Sequence, residues 1–184
     1  MSQPSKNTMI RKHVFVAPAA ANNTGVHAAI STAAVITTAI TQPDVPRTIR
    51  INGAGSGHNA AGVVTINGTD VDGAVISEGI TLNGNTAVDG LKAFKTVTSI
   101  DTSAITGNDA NNTVTVGFGA SLGLASYCDA FSFAGFNANV TSFTNSLTVK
   151  SLNVVLLSSS LDGSTDQCVF YVPDTFGNTG RQWG

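Results

Sequence analysis

Apolar and polar residues alternate along much of this chain with the two-residue period of a half-buried strand, and clusters of Gly, Asn and Asp punctuate the alternation. Residues 47–51 (Arg, Thr, Ile, Arg, Ile) show the pattern plainly, and residues 62–66, 74–82, 93–100 and 113–118 continue it. Upstream, the β-branched run through Val35, Ile36, Thr37 and Thr38 to Thr41 predicts a strand over residues 33–41, ended by Pro43 and Pro46. Downstream, Leu147, Val149, Leu152, Val154, Val155, Leu156 and Leu157 predict one long strand or two with a kink, and a last strand follows over residues 168–172. Residues 127–137 place Phe131, Phe133 and Phe136 in a background of Ala, Ser and Gly with a period that fits strand and helix alike, and core packing is the expected role of these rings.

An aliphatic residue followed by Asn-Gly occurs at Ile51-Asn52-Gly53, Ile66-Asn67-Gly68 and Leu82-Asn83-Gly84. Asn-Gly suits the positive φ angles of two-residue hairpin turns, so each copy predicts a turn. The second and third copies run on to Val71-Asp72-Gly73 and Val88-Asp89-Gly90, which reads as one strand-and-turn unit used twice. Two units are too few for a solenoid. The expected fold is an all-β antiparallel sandwich or barrel-like domain over residues 33–172, divided near residue 125 if at all. An extended N-terminal arm over residues 1–32 and an extended C-terminal tail over residues 173–184 complete it.

Composition turns this scaffold toward assembly. Only 11% of the 184 residues are charged, against roughly 25% in ordinary soluble domains. A surface of Thr, Ser, Asn, Gly and Ala packs against like surfaces without desolvating many ions, and a net charge of −2 gives little repulsion between copies. Nine basic and eleven acidic residues leave no electrostatic footprint for nucleic acid. No apolar stretch has the length of a membrane-spanning helix. Lys6, Arg11 and Lys12 ahead of Val14-Phe15-Val16 imitate a secretory signal faintly, but Pro18 cuts the apolar part short, and a docking arm is the preferred reading. Cys128 and Cys168 are expected to be buried thiols.

Candidate chemistry is sparse. His13, His27 and His58 show no metal-ligand spacing, and no metal or cofactor is expected. Asp70-Val71-Asp72-Gly73 opens like a calcium loop but lacks the closing Glu, so a Gly-closed turn is expected. Residues 53–58 are Gly-rich without the Lys-Ser/Thr ending of a phosphate loop. Glu78 is the only Glu and is expected to pair with Arg47 or Arg50 across neighbouring strands. The polar loop over residues 101–112 is long enough to reach a neighbour. Phe15 on the arm, and Arg181 and Trp183 on the tail, are the candidate partner contacts, since an aromatic near a chain end buries little of itself at home.

The segments Pro43-Asp44-Val45-Pro46-Arg47, Gly68-Thr69-Asp70 with Glu78 beyond it, Ala93-Phe94-Lys95-Thr96-Val97-Thr98-Ser99-Ile100, and Val116-Gly117-Phe118-Gly119 with Leu122-Gly123-Leu124 resemble a family of small structural proteins of tailed bacteriophages. The likeness continues through Val140-Thr141 and Ser160-Leu161-Asp162-Gly163 and covers most of residues 13–172. It implies a non-enzymatic decoration protein on the outer capsid surface of the virion, assembled in the host cytoplasm. Its implied partners are the major capsid protein and copies of itself, as a trimer or around local symmetry axes. The alternative is a tail, baseplate or fibre component used in host attachment, and a polysaccharide depolymerase is a third option that requires converging Asp side chains. The closing Gly-Arg-Gln-Trp-Gly and the Phe-rich segment are less typical of the family.

Overall fold

The computed structural model describes residues 11–55, 57, 60–125, 135–137, 147–151, 154–157 and 161–171. Within them the chain is all-β and every strand pairing is antiparallel. The strands are β1 (Arg11–Phe15), β2 (His27–Ile30), β3 (Val35–Ile36), β4 (Arg47–Gly55), β5 (Val63–Thr69), β6 (Val75–Thr81), β7 (Val88–Phe94), β8 (Thr96–Asp101), β9 (Asn112–Gly123), β10 (Gly135–Asn137), β11 (Leu147–Ser151), β12 (Val154–Leu157) and β13 (Gln167–Tyr171). They form a six-stranded sheet in the order β11-β12-β9-β4-β7 with β2 also on β9, a four-stranded sheet β3-β8-β5-β6, and a three-stranded sheet β1-β13-β10.

The six- and four-stranded sheets share one core. The six-stranded sheet contributes Ile49 and Ile51 from β4 and Val114, Val116 and Phe118 from β9, while Val64, Ile66, Ile80, Val97 and Ile100 come from the other. These are the inward members of the alternation, and burying each large aliphatic side chain stabilises the fold by about 1.5–3 kcal/mol. A second core gathers Phe15, Leu122, Leu124, Val155, Leu161, Val169 and Tyr171. β9 runs through both, passing from one to the other between Phe118 and Leu122.

At this handover β4 is flanked by irregularities on both edges. Arg47 faces Leu122 and Ile49 faces Phe118, so Thr48 stands against Gly119, Ala120 and Ser121 of β9. On the other edge Thr48 faces Ala93 and Arg50 faces Asp89, so Ile49 stands against Gly90, Leu91 and Lys92 of β7. Bulged residues cannot all complete ladder hydrogen bonds, which leaves backbone groups in need of other partners.

Several expectations are corrected. Asn52-Gly53 and Asn67-Gly68 lie inside β4 and β5 rather than in turns. Neither glycine has positive φ; a Cβ on Gly53 would lie 2.3 Å from the Gly84 carbonyl oxygen and one on Gly68 would lie 1.9 Å from that of Thr96. Close backbone approach, not a turn, is what demands glycine there. Only the third copy falls at a turn, and there Gly84, at φ 56°, and Asn85 are the corner residues while Asn83 pairs with Thr86. The doubled motif is accordingly no structural unit, since its copies occupy unlike places. The strand expected over residues 33–41 shrinks to β3, and Ala39 takes a positive φ of 54°. The alternation over residues 93–100 conceals a change of sheet at Lys95, whose N–H donates to the Thr69 carbonyl at 2.8 Å. The apolar run over residues 141–160 resolves into the hairpin of β11 and β12.

Within residues 11–32 the N-terminal segment contributes two paired strands. β1 pairs with β13 along its whole length, and β2 lies on β9. The loop over residues 102–111 is likewise tied back, with hydrogen bonds from Thr102 N to Ala34 and between Ala61 and Thr106, and with Ile105 buried.

Candidate interaction surface

The few charged side chains serve the bulges first. Arg47 is fully buried; its Nε and Nη2 donate to the Gly119 carbonyl at 3.0 and 2.7 Å, and its Nη1 donates to Asp44 Oδ1 at 2.9 Å. The guanidinium carbon also sits 5.2 Å from the centre of the Phe118 ring. Arg50 pairs with Asp89, whose Oδ2 accepts from Ala120 N at 3.0 Å. That pairing pushes the Arg50 guanidinium above its usual pKa against the opposing effect of burial. Thr48 Oγ1 lies 3.4 Å from both the N–H and the carbonyl of Ser121. Each side chain answers a backbone group of the β9 bulge.

Glu78 does the same for the β7 bulge, and this corrects its expected pairing with Arg47 or Arg50. Its carboxylate accepts from Leu91 N at 2.6 Å and Lys92 N at 3.1 Å, while Lys92 Nζ donates to the Ser77 carbonyl at 2.7 Å. These contacts latch β6 of one sheet beside β7 of the other.

Acidic side chains also strap down the chain after β1. Ala17 N donates to Asp166 Oδ1 at 3.0 Å, Pro18 accepts from Gly163 N at 2.9 Å, and Ala19 N donates to Asp44 Oδ2 at 2.6 Å. Burial raises the Asp44 pKa, but the hydrogen bond from Ala19 N and the pairing with Arg47 outweigh it and hold the carboxyl below its ordinary value of 3.8. Asp162 folds its own loop by accepting from Ser164 N, Thr165 N and the Thr165 hydroxyl, which together hold it well below the usual carboxylate range. The Asp70 turn is built likewise, with Oδ1 accepting from Asp72 N and Ala74 N at 3.0 and 2.9 Å. The calcium-like motif is thus a turn closed by Gly73 at φ 84°. Among the described residues no three His, Cys, Asp or Glu side chains are grouped to hold a metal ion.

The apolar exposure follows the sheet edges. Val14 on β1 is 41% exposed, Val16 just beyond it 70%, Val35 on β3 57%, Val75 on β6 87% and Leu91 on β7 58%. β1 ends the three-stranded sheet, β3 and β6 end the four-stranded one, and β7 ends the six-stranded one. Edge strands carry backbone groups that the sheet does not pair; on β7 the N–H groups of Leu91 and Lys92 are taken by Glu78 instead.

Of the residues expected to touch a partner, Phe15 is corrected: its ring is 1% exposed, belongs to the second core and lies 4.4 Å from the His13 ring. Burial of His13 lowers its pKa. Arg181, Trp183, Cys128 and the rings of Phe131, Phe133 and Phe136 lie outside the residues whose side chains are described. Cys168 is buried as expected, and that burial pushes its thiol pKa up despite the nearby Lys12. Sequence reasoning missed the exposed Val14, Val16, Val35, Val75 and Leu91, because alternation says which residues share a face and not which strand ends a sheet. Comparison of the chain with protein-family models, with curated proteins and with solved structures found no match.

Proposed function

We propose that this protein is a non-enzymatic decoration or cement component of a tailed-phage head, seated on the outer capsid surface against the major capsid protein and further copies of itself. The observation that carries the reading is the placement of Val14, Val35, Val75 and Leu91 on strands that end the three sheets. A body with 11% charged residues offers companions flanks that can be covered without desolvating many ions, and its edge strands offer exposed apolar side chains. Copies repeated over a lattice add up by multivalency even when each contact is weak. Clamping falls to the sheet edges and to the terminal segments, with Arg181 and Trp183 the proposed contacts on the tail.

The test is made on particles. Heads prepared with and without the protein are compared for resistance to heat, and intact virions are imaged by electron microscopy. Regular density on the head and lower heat resistance in its absence support the reading. Density confined to the tail replaces it with a tail or baseplate role.

A further inference from the structure

We propose that Asn83 is a site of spontaneous intramolecular deamidation, and that the fold spares the other two Asn-Gly pairs. In this reaction the backbone nitrogen of the following glycine attacks the asparagine Cγ. The new N–Cγ bond forms as the Cγ–Nδ2 bond breaks, the amide proton goes to the leaving nitrogen, and ammonia departs. Water then opens the resulting cyclic imide at either carbonyl, giving aspartate or isoaspartate. No oxidant, metal or enzyme is needed. The requirements are a backbone N–H not committed to a hydrogen bond and a side chain free to swing onto it.

The same dipeptide stands in three different environments. Asn83 is exposed, and it lies in the turn where Thr86 N donates to the Asn83 carbonyl at 3.0 Å. The Gly84 N–H makes no hydrogen bond among the described residues, and the space a Gly84 Cβ would fill has no atom within 4 Å. At the second pair, Gly53 N is committed to the Gly84 carbonyl at 3.1 Å, and Asn52 Oδ1 is buried without a donor to polarise its carbonyl. At the third, Asn67 Nδ2 is tethered to Ser99 Oγ at 3.0 Å, and Gly68 sits between β6 and β8 with Thr96 pressed against it. Attack at Asn52 or Asn67 requires the strand to leave its sheet, and attack at Asn83 does not.

The consequence reaches the core. The Gly84 carbonyl is the acceptor for Gly53 N on the central strand β4. An isoaspartyl link adds one methylene to the main chain beside that acceptor, and either product adds a negative charge to a chain whose net charge is −2. Deamidation therefore loosens the turn between β6 and β7 as the protein ages.

The experiment follows conversion of all three sites by peptide mapping with isotopically heavy water, in mildly alkaline buffer, for the native protein and for the protein in denaturant. In the native state Asn83 is expected to convert at least about tenfold faster than Asn52 or Asn67, and in denaturant the three rates are expected to converge. N83Q is expected to remove the fast native conversion and leave the slow ones. Equal native rates at the three sites overturn the proposal, as does an Asn83 that stays intact in the folded protein while converting in denaturant.

Discussion

Arg47 and Gly119 are joined by two hydrogen bonds from one guanidinium to one carbonyl, at 3.0 and 2.7 Å, where β9 passes from the first core to the second. The carbonyl belongs to a bulged residue, and a buried carbonyl without a donor is costly. Replacing Arg47 by Met removes that donor and leaves Asp44 without its ion partner. The expected loss of stability is about 3–5 kcal/mol, read from chemical denaturation. Lys at this position restores charge but not the planar fork, and is expected to recover only part of it.

Acid destabilisation is expected to depend on Asp44. Its folded pKa lies below the ordinary 3.8, so the unfolded chain takes up a proton first as pH falls. The stabilisation from Asp44 is therefore complete above its unfolded pKa and disappears as pH drops through the lower folded value. Melting temperatures measured from neutral pH down into this acid range should fall for the native protein, and less steeply for Asp44→Asn, which is also less stable at neutral pH.

The Glu78 latch is exposed, and hydrogen bonds there compete with water. Glu78→Ala is expected to cost about 1 kcal/mol. The sharper readout is hydrogen exchange: the amides of Leu91 and Lys92 should lose protection while those of β5 and β8 keep theirs. Uniform loss of protection across the sheets would contradict a local latch.

Gly117 has ordinary φ yet admits no side chain, because a Cβ there would lie 2.1 Å from the Asn22 carbonyl oxygen. The segment before β2 crosses β9 at this point, with Asn22 N donating to the Phe118 carbonyl and Val26 N to that of Val116, each at 3.0 Å. Gly117→Ala is expected to lose about 1–3 kcal/mol by pushing that crossing away. Denaturant midpoints of the two proteins check it.

Burial and a raised pKa both protect the Cys168 thiol. A thiol-specific reagent should label Cys168 in the native protein far more slowly than in denaturant, with peptide mapping assigning the site. Rapid native labelling would contradict its place on β13.

Local chemistry made much of the fold legible in the sequence. The inward sets such as Ile49 with Ile51, and Val64 with Ile66, follow from a period of two, and the Asp70 turn follows from an Asp side chain followed by Gly. Low charge carries the proposal of a surface that packs against like surfaces, because covering it desolvates few ions. The candidate surface was legible only to that extent: Phe15 reads as a contact until β13 is seen to cover its strand.

What the tertiary structure alone decided is which strand lies beside which. Asn-Gly at residues 52–53 and 67–68 carries the same local preference as at 83–84, yet two of the three pairs sit within strands because neighbouring chain presses on Gly53 and Gly68. A continuous alternation over residues 93–100 cannot reveal that the chain changes sheets at Lys95, since both sheets face the same core. The partners of Glu78 and Arg47 are backbone groups freed by bulges, and a bulge arises from register between distant strands. Periodicity is a property of a few neighbouring residues, whereas edges, bulges and buried charges are properties of the assembled sheets.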